Sequence, residues 1–206
     1  KTPAQKSRAI LDAAEKFYEE RQYKPAEIYF LDAKISYEAS GLTDNINYSK
    51  VHADLGLLYA TMGRYNSAEY FTSEALSIRE QTLGKNSKAY AASLNNLAVL
   101  YQETARFNES EQYFSEALQS VKAQLGETSQ EYAIVLNNQA ILLAKIGRID
   151  QAVDKLNTAI TILESQKGKA GLTRNKVGFQ SNLALLYQQT GKFTEAEAIY
   201  LKLEKA

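Results

Sequence analysis

The chain of 206 residues contains no cysteine, no tryptophan, two prolines and a single histidine. Without cysteine it can form no disulfide framework, no thiol nucleophile and no thiolate-bound zinc or iron–sulfur cluster. A single histidine excludes metal sites that are built from several imidazoles. We therefore expect no metal site and no cofactor. The sequence also lacks a run of eighteen apolar residues, so it offers no candidate for a membrane-spanning helix.

The chain has no excess of charge of either sign, because 24 basic residues balance 24 acidic ones. A neutral chain has no general attraction to nucleic acid or to an anionic membrane, so we expect neither as a partner. No signal peptide is visible, and the cytoplasm is the predicted location, with the periplasm as the alternative. The sequence starts without methionine and stops within a helical pattern, which suggests a fragment of a longer protein.

What the sequence does contain is an internal repeat. The phrase Ser93-Leu-Asn-Asn-Leu-Ala98 returns as Val135-Leu-Asn-Asn-Gln-Ala140, 42 residues further along the chain. Extending this register in both directions gives five units, at about residues 3–42, 45–84, 87–126, 129–170 and 173–206. The last step is 44 residues, because two extra residues follow Gly168. Positions that correspond in this register are called a column below.

Several columns hold residues of one size class. One small column is Ala14, Gly56, Ala98, Ala140 and Ala184, a second is Ala26, Ala68, Ser110, Ala152 and Ala196, and a large column is Phe17, Tyr59, Tyr101, Leu143 and Tyr187. Apolar residues in each unit recur every three to four positions, which predicts two helices per unit. One such pair cannot bury its apolar stripe alone, so neighbouring pairs must stack. The sequence therefore predicts ten helices in a single elongated domain over residues 1–206.

The helix ends carry their own signals. Glycines follow the first helix at Gly63, Gly147 and Gly191, and the second helix at Gly84, Gly126 and Gly168, as is typical of left-handed helix caps. Between the two helices, capping-box spacing predicts that second helices begin after Asn66, Asn108 and Thr194, each with a glutamate three residues later.

At these residues the chain resembles the tetratricopeptide repeat. The matching pattern is Leu97-Ala98-x2-Tyr101 followed by Ser110-x3-Phe114-x2-Ala117. The 42-residue step and the Leu83-Gly84 connector resemble the longer variety of this repeat found in kinesin light chains. The signature tryptophan is absent, and its column holds Ile10, His52, Leu94, Leu136 and Gln180. The resemblance implies an all-α fold, a right-handed superhelical α-solenoid of five helix-turn-helix units.

The resemblance also implies a function as a protein–protein interaction scaffold. In this family the first helices line a concave groove that takes a peptide or helical segment of a partner protein. The candidate contact residues on that face are Asn95, Asn96, Asn137, Asn138, Asn182, Leu57, Val99, Ile141, Gln102, Lys145 and Gln189. Each asparagine amide offers one acceptor and two donors, which suits a peptide backbone of any sequence. In the alternative, the asparagines bridge neighbouring repeats or cap buried polar groups, and the apolar column is inter-helix core.

Two further features have a structural interpretation that we favour. A basic column at the turn inside each unit, Arg64, Arg106, Arg148 and Lys192, could steer an acidic ligand, but cations near helix C-termini also offset the helix dipole. His52 is interpreted as a packing residue. No set of nucleophile, base and orienting group can be assembled, so we expect no catalytic residues and no enzyme activity. The alternative function is a structural spacer or self-association module of a larger regulatory or signalling protein.

Overall fold

The computed structural model of the chain describes residues 1–166 and 172–204. These residues form ten α-helices and no β-strand, which confirms the predicted all-α fold. The helices are α1 (Pro3–Glu19), α2 (Tyr23–Ala39), α3 (Ile46–Thr61), α4 (Tyr65–Leu83), α5 (Lys88–Glu103), α6 (Phe107–Leu125), α7 (Gln130–Lys145), α8 (Ile149–Ser165), α9 (Leu172–Gln189) and α10 (Phe193–Leu203). They alternate in the predicted order, with one first helix and one second helix in each repeat.

The described residues fall into two compact units, residues 1–106 and residues 107–206. Unit 1 holds α1 to α5 and unit 2 holds α6 to α10. Within each unit, the two helices of a repeat pack against each other, and each second helix also packs against the first helix of the next repeat. One continuous domain over the whole chain stays a prediction.

The small columns explain how closely helices of one repeat approach in unit 1. Ala14 and Ala26 are fully buried where α1 meets α2, and Phe30 fills the space beside them. In the second repeat the approach is closer still. A Cβ atom at Gly56 of α3 would overlap Thr72 Oγ1 and lie 3.1 Å from the Thr72 backbone nitrogen on α4. A larger residue at this crossing of α3 and α4 would therefore have to displace Thr72.

Unit 2 has a core of the same design. Ala140 of α7 and Ala152 of α8 are fully buried, so these two helices also pack closely. Leu143 and Leu156 fill the space between them, and Leu183 of α9 extends the core into the last repeat. This packing fixes α7 and α9 as the two neighbouring first helices of unit 2, and both lie on the same α8.

The turn inside each repeat has one residue in the left-handed region. Gly63, Gly147 and Gly191 have φ of 71°, 79° and 77°, which confirms the prediction for this column. The same column holds Arg21 and Ala105, and each has a φ of 59°. In the second glycine column, Gly84 and Gly126 also have positive φ, whereas Gly168 and the two extra residues lie outside the described residues.

The predicted starts of the second helices were wrong. Helix α4 begins at Tyr65 with Arg64 as its N-cap, and α10 begins at Phe193 with Lys192 as its N-cap, without a side-chain cap hydrogen bond at either position. Asn66, Asn108 and Thr194 therefore lie inside the first helical turn. The next helix starts two residues after the left-handed residue of the turn, which is Gly63, Ala105 or Gly191, and so before the asparagine or threonine is reached.

Candidate functional site

The first helices α7 and α9 of unit 2 border a groove with a cavity of about 380 Å³. Its lining consists of Ala140, Ile141, Ala144, Lys145, Leu156, Asn182, Leu185, Leu186 and Gln189. Cavities of roughly 300–1,000 Å³ with a mostly apolar lining are the usual size of ligand sites. Apolar side chains predominate in this lining, two amides join them, and Lys145 is its one charged residue.

The groove brings together four of the residues predicted from the sequence. Ile141 and Lys145 lie on one face of α7 because they are four positions apart, and Asn182 and Gln189 lie seven positions apart on α9. Leu185, in the same column as Ile141, lies between them with half of its surface exposed. A residue of that size exposed by 50% leaves apolar surface available to a ligand.

Sequence reasoning missed the floor of the groove. Leu156 of α8 and Leu186 of α9 are almost fully buried, and their columns indicate core residues and nothing more. The opening above them depends on Ala144, whose column holds glutamine at positions 102 and 188. The signal in the sequence that could have located the cavity was the small residue Ala144 between glutamines at positions 102 and 188 of the neighbouring repeats.

The asparagine columns of unit 2 form hydrogen bonds between repeats. The amide nitrogen of Asn182 on α9 donates to Asn137 Oδ1 on α7 at 2.9 Å. The Asn137 amide nitrogen in turn donates to Asn138 Oδ1 at 3.1 Å. The bridging role that was one of the two alternatives is therefore real for this pair. Asn182 makes no other side-chain hydrogen bond to a described residue, so its oxygen and second N–H remain able to meet a ligand.

The corresponding face of unit 1 has a different chemistry. Lys50 Nζ bonds Glu15 Oε1 and Asp54 Oδ2, both at 2.7 Å, and Arg8 Nε bonds Asp12 Oδ1 at 2.7 Å. Burial raises the pKa of Asp54, and Lys50 offsets this only in part. Burial lowers the pKa of Lys50, but its hydrogen bonds to Asp54 and Glu15 outweigh that effect and the pKa is raised. This face is therefore a network of paired charges.

The remaining predicted contact residues lie on α3, α5 and α7. Leu57 is half exposed, Asn96 is exposed, and Asn95, Val99 and Asn138 are partly exposed. Gln102 is buried, and its Oε1 has no hydrogen-bond partner among the described residues. The contact of all of these residues with a ligand stays a prediction.

The basic column forms ion pairs between repeats. Arg64 lies 2.6 Å from Glu27, Arg106 lies 2.9 Å from Glu69, and Arg148 lies 2.6 Å from Glu111. Each glutamate belongs to the second helix of the preceding repeat. We call each arginine–glutamate pair an inter-repeat clasp. The clasps were missed from the sequence, because the two partners are 37 residues apart and belong to different columns.

A tyrosine completes the clasps of unit 1. The guanidinium carbon of Arg64 lies 4.4 Å from the centre of the Tyr59 ring, and that of Arg106 lies 4.1 Å from the centre of the Tyr101 ring. Burial, together with the nearby Glu27 carboxylate, raises the pKa of Tyr59 to about 12. With their arginines already paired in this way, the clasps are a structural feature of the repeat.

His52 lies in the core of unit 1, as the sequence suggested. Its Nδ1 donates to the backbone carbonyl of Tyr48 at 3.0 Å, and its ring centre lies 4.5 Å from that of Tyr48 and 5.8 Å from that of Phe71. Burial lowers the pKa of His52. Within residues 1–166 and 172–204, no three histidine or carboxylate side chains come close enough to hold a metal ion. No helix in that part of the chain is sufficiently long and apolar to cross a membrane.

Comparison with known families gives a clear match. A family model described as "Tetratricopeptide repeat" matches residues 47–122 and 89–165, and a second model with the same description matches residues 179–203. Comparison with curated proteins gives no match.

Solved structures share the fold. The structure of BtubC (BKLC) from P. vanneervenii is 25% identical, with a TM-score of 0.76 over 93% of this chain and 76% of that one. A Podosopora anserina structure described as a kinesin light chain with nearly identical TPR-like repeats is 16% identical, with a TM-score of 0.76 over 100% of this chain and 96% of that one. NprR, solved with its cognate peptide NprX, is 17% identical, with a TM-score of 0.74; 98% of this chain covers 55% of NprR.

Proposed function

The chain belongs to the tetratricopeptide repeat family, in its longer, kinesin-light-chain-like variety, and from this premise we propose that it is a scaffold that binds a peptide segment of a partner protein in the groove between α7 and α9. A role in protein interaction is the general role of this repeat. The location of the site, its residues and the absence of catalysis are parts of the proposal. The cytoplasm stays the predicted location.

The observation that carries the proposal is the combination of an apolar floor with an amide rim. A peptide that buries an apolar side chain must also satisfy the backbone polar groups that enter with it. In this groove Leu156 and Leu186 offer the apolar floor, and Asn182 and Gln189 offer donors and acceptors beside it. Both requirements are met within one cavity of about 380 Å³.

The groove needs little rearrangement before it binds. Its walls are helices that the core of unit 2 holds in place, and Ala140 and Leu186 are almost fully buried in that core. A preformed site avoids the entropy cost of ordering a loop when the ligand arrives. NprR, which has the same fold, was solved with a peptide bound, and this supports a peptide as the class of ligand.

The face of unit 1 is less suited to an apolar anchor. There Glu15 occupies the column of Ile141, and Asp54 occupies the column of Asn182. Both carboxylates are paired with Lys50, and a ligand would have to displace or desolvate that pairing. We therefore place the main contact in unit 2.

The test is a selection of peptides from a random display library on the 206-residue chain, followed by measurement of the Kd of the selected peptides. We expect Ile141→Glu and Leu185→Glu each to weaken binding by about 30-fold or more, because each places a carboxylate against the buried anchor. Ile28→Glu is the matched control, since Ile28 on α2 is similarly exposed at 59% but belongs to unit 1 and does not line the groove. Circular dichroism should give the same helical content for all variants.

Two results would contradict the proposal. The first is that no peptide is enriched over an unrelated helical protein. The second is that the groove variants and the Ile28→Glu control lose binding to the same small extent, which would place the contact elsewhere.

Self-association is the second candidate, and the outer face of α2 favours it. Ile28 and Ile35 lie two helical turns apart and are exposed by 59% and 60%. Sedimentation of the wild-type chain over a range of concentrations tests this candidate. A wild-type dimer that dissociates in the Ile28→Glu variant would support self-association. A monomer at every concentration would exclude self-association.

A further inference from the structure

The repeat supplies an internal comparison for the groove. Ala144, which leaves the cavity open, belongs to a column that consists of Tyr18, Ala60, Gln102, Ala144 and Gln188. The most different residue is Tyr18, at the end of α1. Because the register aligns α1 and α3 of unit 1 with α7 and α9 of unit 2, Tyr18 stands where the groove would open in the first repeat.

Tyr18 bridges α1 and α3, two of the three first helices of unit 1. Its ring is partly buried and packs against the apolar core. Its hydroxyl oxygen lies 3.1 Å from Thr61 Oγ1, on the opposite helix α3. Thr61 is in the column of Gln189, the polar residue at the same end of the unit 2 groove. In unit 1, the phenol ring of Tyr18 therefore extends from the position that corresponds to Ala144 to the position that corresponds to Gln189, where its hydroxyl forms a hydrogen bond.

The floor beneath the two positions is alike. Ala14 corresponds to Ala140 and Leu58 corresponds to Leu186, and all four side chains are almost fully buried. Phe30 corresponds to Leu156, so the floor of the unit 2 groove has one smaller residue where unit 1 has a larger one. The unit 2 groove thus corresponds to the site that the Tyr18 ring occupies in unit 1. It contains no ring, and Leu156 leaves more space than Phe30 does.

We propose, on the basis of the proposed function, that the groove takes an aromatic side chain with a hydrogen-bonding tip, a tyrosine of the partner peptide, and that Ala144 is the residue that determines this specificity. The ring lies on Leu156 and Leu186, between Ile141 and Leu185. The hydroxyl bonds the Gln189 amide, as the Tyr18 hydroxyl bonds Thr61. Ala144 leaves the space, because a larger residue there would occupy it from within the chain.

The physical chemistry favours this anchor over an aliphatic or a charged one. An aromatic side chain buries about 150–250 Å², more than an aliphatic one, and a tyrosine keeps one polar end for a partner. An aliphatic anchor would leave the Gln189 amide beside it without a bond from the anchor. A charged anchor would lose its hydration against a floor of leucine and alanine side chains.

The first arm of the test is Ala144→Tyr, which should place a ring in the groove as Tyr18 does in unit 1. Peptides selected on the wild-type chain are expected to share a tyrosine, and Ala144→Tyr is expected to weaken their binding at least tenfold. Ala123→Tyr is the matched control, since Ala123 is exposed on α6 of the same unit. Helical content and the thermal midpoint of both variants establish that they fold.

The second arm uses a small probe on the wild-type chain. It requires neither a selected peptide nor a groove substitution that could disturb folding. N-acetyl-tyrosinamide should shift the NMR methyl signals of Ile141, Leu185 and Leu186 at millimolar concentration, whereas N-acetyl-leucinamide should shift them several-fold less. In Tyr18→Ala, the same probe should also shift the methyl signals of Leu57 and Leu58, because the seat in unit 1 is then open.

The outcomes separate this inference from the function on which it rests. Selected peptides that share leucine or a charged residue and still depend on Ile141 and Leu185 would overturn the aromatic anchor and leave the peptide-binding function intact. Tyrosine-containing peptides that bind Ala144→Tyr as well as the wild type would also overturn it. Selection of no peptide would overturn both, and equal shifts with the two probes would count against the aromatic preference.

Discussion

Gln139 is a polar residue in an apolar column, since the other repeats hold Ala13, Leu55, Leu97 and Leu183 at this position. It is 7% exposed on α7, and its Oε1 has no hydrogen-bond partner among the described residues. A buried acceptor without a partner loses its bonds to water on folding and gains nothing in return. This single side chain therefore lowers the stability of unit 2.

We expect Gln139→Leu to raise the free energy of unfolding by about 1–3 kcal/mol, because it removes the unpaired amide and restores the leucine of the column. Urea denaturation followed by circular dichroism measures the change. Gln119→Leu on the exposed surface of α6 is the control, and it should change the stability by no more than about 0.5 kcal/mol. A loss of stability in Gln139→Leu would mean that the amide has a partner in solution.

Protonation of His52 makes the stability of unit 1 depend on pH. Its lowered pKa means that the unfolded chain, with a pKa of about 6.5, takes up a proton before the folded chain does. Above about pH 6.5 both states hold a neutral imidazole and the residue contributes no pH dependence. As the pH falls from about 6.5 toward the lower folded pKa, stability is lost. The charged groups that act on the ring are Lys34, Glu38 and Glu74.

Replacement of His52 by the leucine found in its column at positions 94 and 136 should remove this part of the acid sensitivity. The free energy of unfolding of the wild type is expected to fall more steeply between pH 6.5 and pH 5 than that of His52→Leu. Urea denaturation at a series of pH values measures both slopes. The carboxylates titrate in both proteins, so the difference between the curves isolates the imidazole. Parallel curves would mean that His52 has the same pKa in the folded and unfolded chains.

At the scale of the element, the turn between the paired helices of a repeat has one residue with positive φ in all five repeats. Its left-handed residue is glycine in three repeats but Arg21 and Ala105 in the other two, each with a φ of 59°. A side chain other than glycine in this region costs about 1–2 kcal/mol. At the Arg21 turn, the helices on either side, α1 and α2, pack against each other, and this packing offsets the cost of the left-handed conformation.

We expect Ala105→Gly to raise the free energy of unfolding by about 1 kcal/mol, less the extra flexibility that glycine gives the unfolded chain. The reciprocal change Gly63→Ala should lower it by a similar amount, because nothing lies within 4 Å of the added methyl and only the backbone is strained. Thermal denaturation of the pair of variants measures both effects. Opposite signs are required; a loss of stability in Ala105→Gly would show that the alanine methyl contributes contacts larger than the strain.

At the scale of the whole molecule, the repeat made most of the fold predictable. Five copies of one pattern average out local ambiguities, so the ten helices, their order and the left-handed glycines could all be read from columns. The helix starts were misplaced because a column shows only which residue types recur. The polar residues in the column of Asn66 fit the first turn of a helix as well as its N-cap. The partner of Arg64 was missed, since Glu27 belongs to another column and only the folded turn brings the two together.

The candidate site was predictable in part for a related reason. Helical spacing identifies which residues share a face, so Ile141, Lys145, Asn182 and Gln189 were predicted, and the structure brings them together in one groove. Whether that face has a cavity is a question of volume. The volume of the cavity depends on the size of the Ala144 side chain relative to its neighbours and on the distance between α7 and α9. A pattern of apolar and polar residues sets neither of these quantities. The face was therefore predictable and the depth of the groove was not.

The inter-repeat clasps have a consequence for the length of the chain. Each joins a glutamate to an arginine 37 residues later, so an insertion or deletion between the two residues would change the spacing at which they meet. The next pair in this series would be Val153 and Lys192, and valine cannot close it. The two extra residues of the sequence fall after Gly168, between Val153 and Lys192, where no clasp joins neighbouring repeats. An insertion between α8 and α9 therefore breaks no clasp, whereas one between α2 and α3 would change the spacing of Glu27 and Arg64.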